Sequence, residues 1–328
     1  MNNFRIRHSL VALAIALSVL CCGFPCQAQT WPARTITVVM PYAAGGATDV
    51  AVREIARKMA DDLGQPIIIE NKPGAGAMIG AQFVARAKPD GYTLLTAVVA
   101  NMVTSPLTSP ALSYDPLKDF SPISLLSTNP LILVASKSSG IKTFADMLRG
   151  AREKRGTLAI ASYGYGTPSH LAIELLMTSA NIEVIHVPYN GSAPAMVDVL
   201  GGRVPLLMDI LPSQLKTMEK GDMVGIAVGQ RFRSVLAPAV PTFEEVGLPG
   251  FEASTWFGIV APAGTPKVVI ARLNQAAHRA LSDPELQRSL LARGVQLQAT
   301  SPEEFGLMIR ADYDKWGAVI KAAGIKAQ

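Results

Sequence analysis

The feature that most constrains this chain is a repeated order of apolar run, glycine-rich loop and helix-length segment. A strand buried on both faces reads as a near-continuous apolar run rather than an alternation. Ile36 to Met40 reads so and stops at Pro41. The turn Ala43-Ala44-Gly45-Gly46 follows, and the spacing then predicts a helix from about Thr48 to Leu63, closed by Gly64. Pro66 to Glu70 predicts a second strand, Pro73 to Gly76 a second tight loop and a helix that ends before Pro89-Asp90-Gly91. Tyr92 to Val98 predicts a third strand. Strands and helices in this order imply a parallel sheet with helices on its faces.

The order then restarts. Leu131 to Ala135, Thr157 to Ser162, Val184 to Val187 and Val204 to Asp209 predict strands. Between them lie predicted helices over Thr143 to Lys154, from the loop Ser162–Thr167 through about Thr178, and over Ala193 to Leu200. Phe257 to Ala261 predicts a late strand. Three helices close the chain, opened by Thr265-Pro266, by Ser282-Asp283-Pro284, and by Ser301-Pro302 with Glu304 completing a capping box. At 328 residues the chain is long enough for two cores. No flexible linker separates the two α/β units, so the chain is expected to cross between them more than once.

Residues 1–28 stand apart. Arg5 and Arg7 precede an apolar run from Leu10 to Leu20, and Cys26-Gln27-Ala28 offers a small-x-small cleavage site. This predicts a cleaved signal peptide and an exported protein. An uncleaved anchor is one alternative. A lipoprotein at Cys21 or Cys22 is another, disfavoured by the bulky Val19 and Leu20. All three cysteines lie in this leader, so the mature chain is expected to have no disulfide, no thiol nucleophile and no thiolate metal site. Its formal charge drops from +5 to +3 with Arg5 and Arg7 removed.

Charged residues make up 17% and show no basic cluster, which argues against a nucleic-acid partner. Signals for catalysis are weak. His170, His186 and His278 lack zinc spacing. Gly191-Ser192-Ala193-Pro194-Ala195 begins like a nucleophile elbow but lacks the last glycine. Gly74 to Gly80 resembles a dinucleotide fingerprint, the basis of a rival reading as a Rossmann-type oxidoreductase, but no ribose-binding acid follows. No enzyme activity, cofactor or metal is expected.

In open α/β sheets ligands bind beyond the carboxyl ends of the strands. Three loops fit that position: Pro41 to Asp49, Asn71 to Gly76 with Gly74 and Ala75, and Ser162 to Thr167. Glycine lets backbone approach a ligand, and the helix that follows offers free N–H groups and partial positive charge. Neither Pro41–Asp49, Ser162–His170 nor Pro188–Pro194 contains Lys or Arg, and Lys72 is the only cation nearby in sequence. An anion would therefore be held by N–H groups, hydroxyls and water, which suits a carboxylate and not a triphosphate. Asp49 reads as a ligand contact, a first-turn acid or a partner of Arg53. His170 reads as a cleft residue or a structural one.

Several strings together resemble one family. Trp31 to Arg34, Ile36 to Asp49, Glu70 to Gly76, Pro89 to Leu94, Gly164 to Thr167 with His170-Leu171, Val187 to Gly191, Pro241 to Phe243, Gly250-Phe251 and Phe257 to Pro266 are similar, in order, to the Bug family of tripartite tricarboxylate transporter receptors, TctC-like periplasmic solute-binding proteins. The resemblance implies a two-lobed α/β fold of the type II periplasmic-binding-protein kind. Each lobe is a mostly parallel sheet flanked by helices, with the ligand in the interlobe cleft. It implies lobe 1 over residues 29–128 and 249–328 and lobe 2 over 129–248, with crossings near residues 128 and 248. It implies a carboxylate ligand held by Tyr42, Ala43, Ala44, Gly45 and Thr48 on one side and by Ser162, Gly164, Gly166 and Thr167 on the other. Asn101, Thr104, Tyr189 and Asp209 would line the rest. The implied partners are transporter membrane subunits or a sensor protein, and the expected form is a monomer in the periplasm. Four positions depart from the family pattern. Tyr42 stands where phenylalanine is common, Asn190 where a basic residue often follows the tyrosine, and Tyr163 and Tyr165 add aromatic bulk. These tyrosines favour a mono- or dicarboxylate with a ring or long apolar body, unless Tyr163 and Tyr165 face solvent at the rim.

Overall fold

A computed structural model describes residues 31–109 and 112–325. The expected leader, residues 1–28, lies outside them. From Arg34 onward the described chain builds one sheet of nine strands flanked by helices.

The first part runs β1 (Ile36–Met40), α1 (Ala47–Leu63), β2 (Ile67–Asn71), α2 (Met78–Ala85) and β3 (Thr93–Val98). Strands β2, β1 and β3 pair in parallel, as the apolar runs require. A π-helical turn Ala100–Thr104 leads into the short helix α3 (Ser105–Thr108). The second part runs β4 (Phe120–Ser136), α4 (Phe144–Glu153), β5 (Ala159–Ser162), α5 (Pro168–Ala180), β6 (Ile185–Pro188), α6 (Ser192–Leu200), β7 (Leu206–Ile210), α7 (Leu211–Glu219) and β8 (Met223–Val228). Then follow β9 (Ser254–Pro262) and three closing helices, α8 (Lys267–Leu281), α9 (Pro284–Leu291) and α10 (Pro302–Ala323).

The strand order is β2-β1-β3-β9-β4-β7-β5-β6, with β8 also on β4. Strand β4 joins the two parts. Its first half pairs antiparallel with β9, from Phe120 on Pro262 to Pro130 on Ser254. From Leu131 on it pairs with β7 and β8 instead. The chain crosses again at the same place. Gly229 N–H donates to Leu131 O at 2.7 Å, Ala253 N–H to Gly229 O at 2.8 Å, and Leu131 N–H to Ala253 O at 3.0 Å. The fold is α/β with a curled sheet. Because β9 runs antiparallel beside β3, the Gly74–Gly80 turn does not sit in an all-parallel doubly wound sheet.

The sequence reading finds only the end of β4, and it lacks α7 and β8. The reason lies in Ser124, Ser127 and Asn129, which break the apolar pattern of β4. Ser124 and Ser127 are nonetheless fully buried, because polar partners satisfy them or the neighbouring strand covers them. Ser124 Oγ donates to Leu125 O at 2.7 Å and lies 3.1 Å from Thr300 O. The closing helices obey their start signals. Ser301 and Glu304 form a reciprocal capping box on α10, and Asp283 caps α9. Helix α10 then lays Phe305, Ile309, Trp316 and Ile320 into the core, where Phe305 meets Trp256 edge-on at 5.5 Å. Truncating a buried aromatic of this kind costs about 3–5 kcal/mol.

Candidate ligand site

Residues just beyond the carboxyl ends of β1, β3, β5, β6 and β7 line one cavity of about 760 Å³. Four helix N-termini contribute to its wall: Ala47 and Thr48 of α1, Thr167 and Pro168 of α5, Gly191 and Ser192 of α6, and Pro212 and Ser213 of α7. The shared strands contribute Asn129 from β4 and Thr255 to Phe257 from β9. Among the described residues no Asp or Glu lines this cavity, and Arg293 is its one charged lining residue. Each helix start presents N–H groups without helical acceptors and roughly half a positive charge. The wall is thus made of donors and apolar surface, a setting for an anion.

The loop after β1 is organised by Asp49, which is 1% exposed. Its carboxylate accepts from Gly45 N–H at 2.9 Å, Arg53 Nε at 2.9 Å and Asn71 Nδ2 at 2.9 Å. Asn71 Nδ2 also donates to Tyr42 O at 2.9 Å. Burial alone would raise this carboxyl, but Arg53, Gly45 and Asn71 outweigh it and hold it at about 2. Asp49 therefore shapes the loop from behind and Thr48 and Tyr42 face the cavity. Tyr42 keeps 37% of its surface exposed, yet that surface borders the cavity, and desolvation there pushes its phenol up to about 12.

The loop after β5 is organised by a hydroxyl and a histidine. Thr167 Oγ1 donates to Gly164 O at 2.7 Å and caps α5 by accepting from His170 N–H. Gly166 N–H donates to His170 Nδ1 at 3.0 Å. Tyr165 leans on the His170 ring at 4.7 Å, and His170 stacks on His186 at 3.9 Å. Ser162 Oγ lies 2.6 Å from His186 Nε2. Tyr163, half-buried in the cavity wall, has its phenol pushed up by burial and by the charge of Asp209.

Of the expected positions, Tyr42, Thr48, Thr104, Gly166 and Thr167 line the cavity. Ala43, Ala44, Gly45 and Asp49 belong to the same loop as Tyr42 but stand off the lining, and Gly74 and Ala75 stand just before Gly76, which lines it. Asn101 is buried in the backbone of its own turn, accepting from Val98 N–H at 2.8 Å and donating to Thr96 O at 3.1 Å. Ser162, Gly164 and His170 form the layer behind. Tyr189 Oη donates to Asp198 at 2.8 Å, off the lining. Asp209, fully buried, accepts from Ser192 Oγ at 2.8 Å, Ile210 N–H at 2.8 Å and Gln214 Nε2 at 2.6 Å. Burial raises its carboxyl. Ser192, which it holds, does line the cavity. Tyr163 and Tyr165 both border the cavity, Tyr165 with 39% of its surface exposed.

Sequence reasoning missed Asn129, Ser192, Ser213, Thr255 and Arg293. Ser192 carries a local signal, a hydroxyl in the first turn of a helix after Gly191. Arg293 carries none, because tertiary structure brings it from the far end of the chain. Lys72, the cation nearest in sequence, pairs with Glu70 at 2.6 Å and lies over the Phe83 ring. Among the described residues no cluster of three His, Cys, Asp or Glu is placed to hold a metal.

A curled α/β sheet in which strand ends and helix N-termini surround one cavity is the architecture of a periplasmic solute-binding protein. The comparisons agree and narrow it. The model of the tripartite tricarboxylate transporter family receptor matches residues 51–325, and the chain belongs to that family. It is 32% identical to the protein BugT of Bordetella pertussis over 327 residues, 99% of each chain. An adipate-bound protein of R. palustris superposes with a TM-score of 0.75 at 33% identity, over 90% of this chain and 99% of that one. MatC of Rhodopseudomonas palustris, with bound malate, superposes with a TM-score of 0.71 at 33% identity, over 88% and 100%.

Proposed function

We propose that this protein is exported to the periplasm, captures a small carboxylate in the cavity and delivers it to the membrane subunits of a tripartite tricarboxylate transporter. It acts as a monomer and performs no chemistry on the ligand. The observation that carries the reading is the cavity wall. It has four helix N-termini, hydroxyls of Tyr42 and Thr48, one arginine and, among the described residues, no carboxylate. Such a wall stabilises an anion by oriented N–H groups without neutralising it irreversibly. Adipate and malate in the related structures are carboxylates, which supports the same class here.

Capture works by closure of two lobes, residues 29–128 with 249–328 and residues 129–248. The hinge is assigned to the place where β4 leaves β9 for β7 and β8, beside Gly229 and Ala253. In the open form the donors of β1 and β3 and those of β5, β6 and β7 face each other across water. A carboxylate bridging both sets binds the closed form more tightly and shifts the population toward it. Residues 1–28 are the export signal.

Thermal unfolding of the mature protein against a panel of carboxylic acids tests the reading. A ligand at 100 times its Kd stabilises the fold by about 2.7 kcal/mol, a clear rise in Tm. No rise with acidic amino acids, hydroxy acids, aliphatic diacids or aromatic acids, for protein shown free of copurified ligand, overturns it.

A further inference from the structure

The carboxylate reading leaves the class of acid unspecified, and Arg293 bears on it. Among the described residues it is the one charged side chain in the cavity lining. It stands in the turn after α9, whose backbone is fixed. Gly294 N–H donates to Leu291 O at 2.8 Å and Val295 N–H to Leu290 O at 2.9 Å. Gly294 has a φ of +80°, and a Cβ there would stand 2.3 Å from Pro212 Cβ. The turn is therefore packed directly on the start of α7, whose Pro212 and Ser213 also line the cavity.

The guanidinium is engaged more loosely than the backbone. Nη2 donates to Glu54 at 2.7 Å and to Ser289 Oγ at 3.0 Å, and Nε donates to Ser289 O at 3.2 Å. The side chain is 41% exposed and that of Glu54 is 29% exposed. A solvated pair of this kind holds its partners weakly, so a second carboxylate can compete for the arginine. The wall offers two kinds of anchor. N–H groups sit at the helix starts and Arg293 in the turn after α9, while Val98, Val99, Phe257 and Val295 offer apolar surface. A cavity of about 760 Å³ holds an acid with a chain between two charged ends.

We infer that Arg293 is a ligand-binding residue that makes the site selective for dicarboxylates. The N–H groups of the helix starts take one carboxylate. Arg293 exchanges Glu54 for the other, where its planar fork can donate two parallel hydrogen bonds. The inference rests on the carboxylate reading of the cavity and specifies it. A charge-assisted contact of this kind is worth about tenfold to hundredfold in affinity.

The test is calorimetric titration of the mature protein with matched probes: succinate against butyrate, adipate against hexanoate, azelate against nonanoate. The wild type is expected to bind at least one diacid about tenfold or more tightly than its monoacid. Arg293→Gln is expected to abolish that preference, weakening each diacid about tenfold or more beyond any effect on its matched monoacid. Glu54→Gln removes the competing carboxylate and is expected to tighten diacid binding. Should Arg293→Gln fail to fold, Arg293→Lys serves, with the preference reduced because the fork is lost while the charge stays. An undiminished preference in the arginine variants overturns the inference. Equal affinity of the wild type for mono- and diacids also overturns it, with the carboxylate reading intact. Failure of the wild type to bind any acid overturns that reading, and the inference falls with it.

Discussion

The rings of His170 and His186 stack 3.9 Å apart with their planes 10° from parallel, directly behind the loop that leads from β5 into α5. Burial, with the neighbouring His170 acting in the same direction, lowers the His186 imidazole from 6.5 to about 4. The unfolded chain takes up this proton near pH 6.5 and the folded chain only near pH 4. Between these values the unfolded state binds more protons, so stability falls as pH is lowered through the window and is fully present above it. Tm is therefore expected to drop between pH 6.5 and 4 and to drop less in His186→Asn. With His186 half-buried, the contribution is about 2 kcal/mol. An identical slope in the variant would place the acid sensitivity elsewhere.

Asp49 gives the opposite kind of titration. Its carboxyl is held at about 2 against an ordinary 3.8, so its stabilising bonds are complete above pH 3.8 and are lost as pH falls toward 2. Asp49→Asn is expected to cost about 2 kcal/mol at pH 7, since Arg53 loses its charged partner and Gly45 N–H its charged acceptor. The gap between variant and wild type should narrow between pH 5 and 2.5 in urea unfolding. A gap that stays constant over that range would show that Asp49 does not titrate as its contacts require.

The contrast between these residues and the cavity lining explains how far the sequence can be read. β1 is legible because a buried parallel strand leaves an uninterrupted apolar run. β4 is half illegible because Ser124, Ser127 and Asn129 imitate a loop while β9 and Thr300 satisfy or cover them. Loops that feed helices are legible from glycine, hydroxyl and position. Which side of the backbone each polar side chain faces is not. Asn101, Tyr189 and Asp209 have the chemistry of ligand contacts, yet each is taken up by protein partners. Arg293 reaches the cavity through the packing of α9, a long-range fact with no local trace.

Asp209 is the support behind Ser192. It satisfies three donors, from Ser192, Ile210 and Gln214, inside the core. Asp209→Asn replaces one acceptor oxygen with a donor that faces at least one of them. The expected loss is about 2 kcal/mol in urea unfolding, with several-fold weaker ligand binding because Ser192 loses its fixed orientation. Wild-type stability in the variant would mean that the cost of burying the charge outweighs the three bonds it accepts.

Gly229 is where β4, the end of β8 and the start of β9 meet within one hydrogen-bonded triangle. A Cβ there would stand 2.4 Å from Ala253 O and 3.1 Å from Ala253 Cβ, and Ala253, just before β9, cannot yield without breaking its bond to Leu131. Gly229→Ala is therefore expected to destabilise the fold by about 2–4 kcal/mol. Gly150, inside α4, makes the control. It has nothing within 4 Å of the added methyl, so Gly150→Ala is expected to stabilise by about 0.5–1 kcal/mol through helix propensity and a less mobile unfolded chain. The two variants carry the same chemical change, and chemical denaturation of both separates close approach from backbone entropy. Similar effects at the two positions would mean that the chain crossing has slack, and that Gly229 is not what keeps these three segments in register.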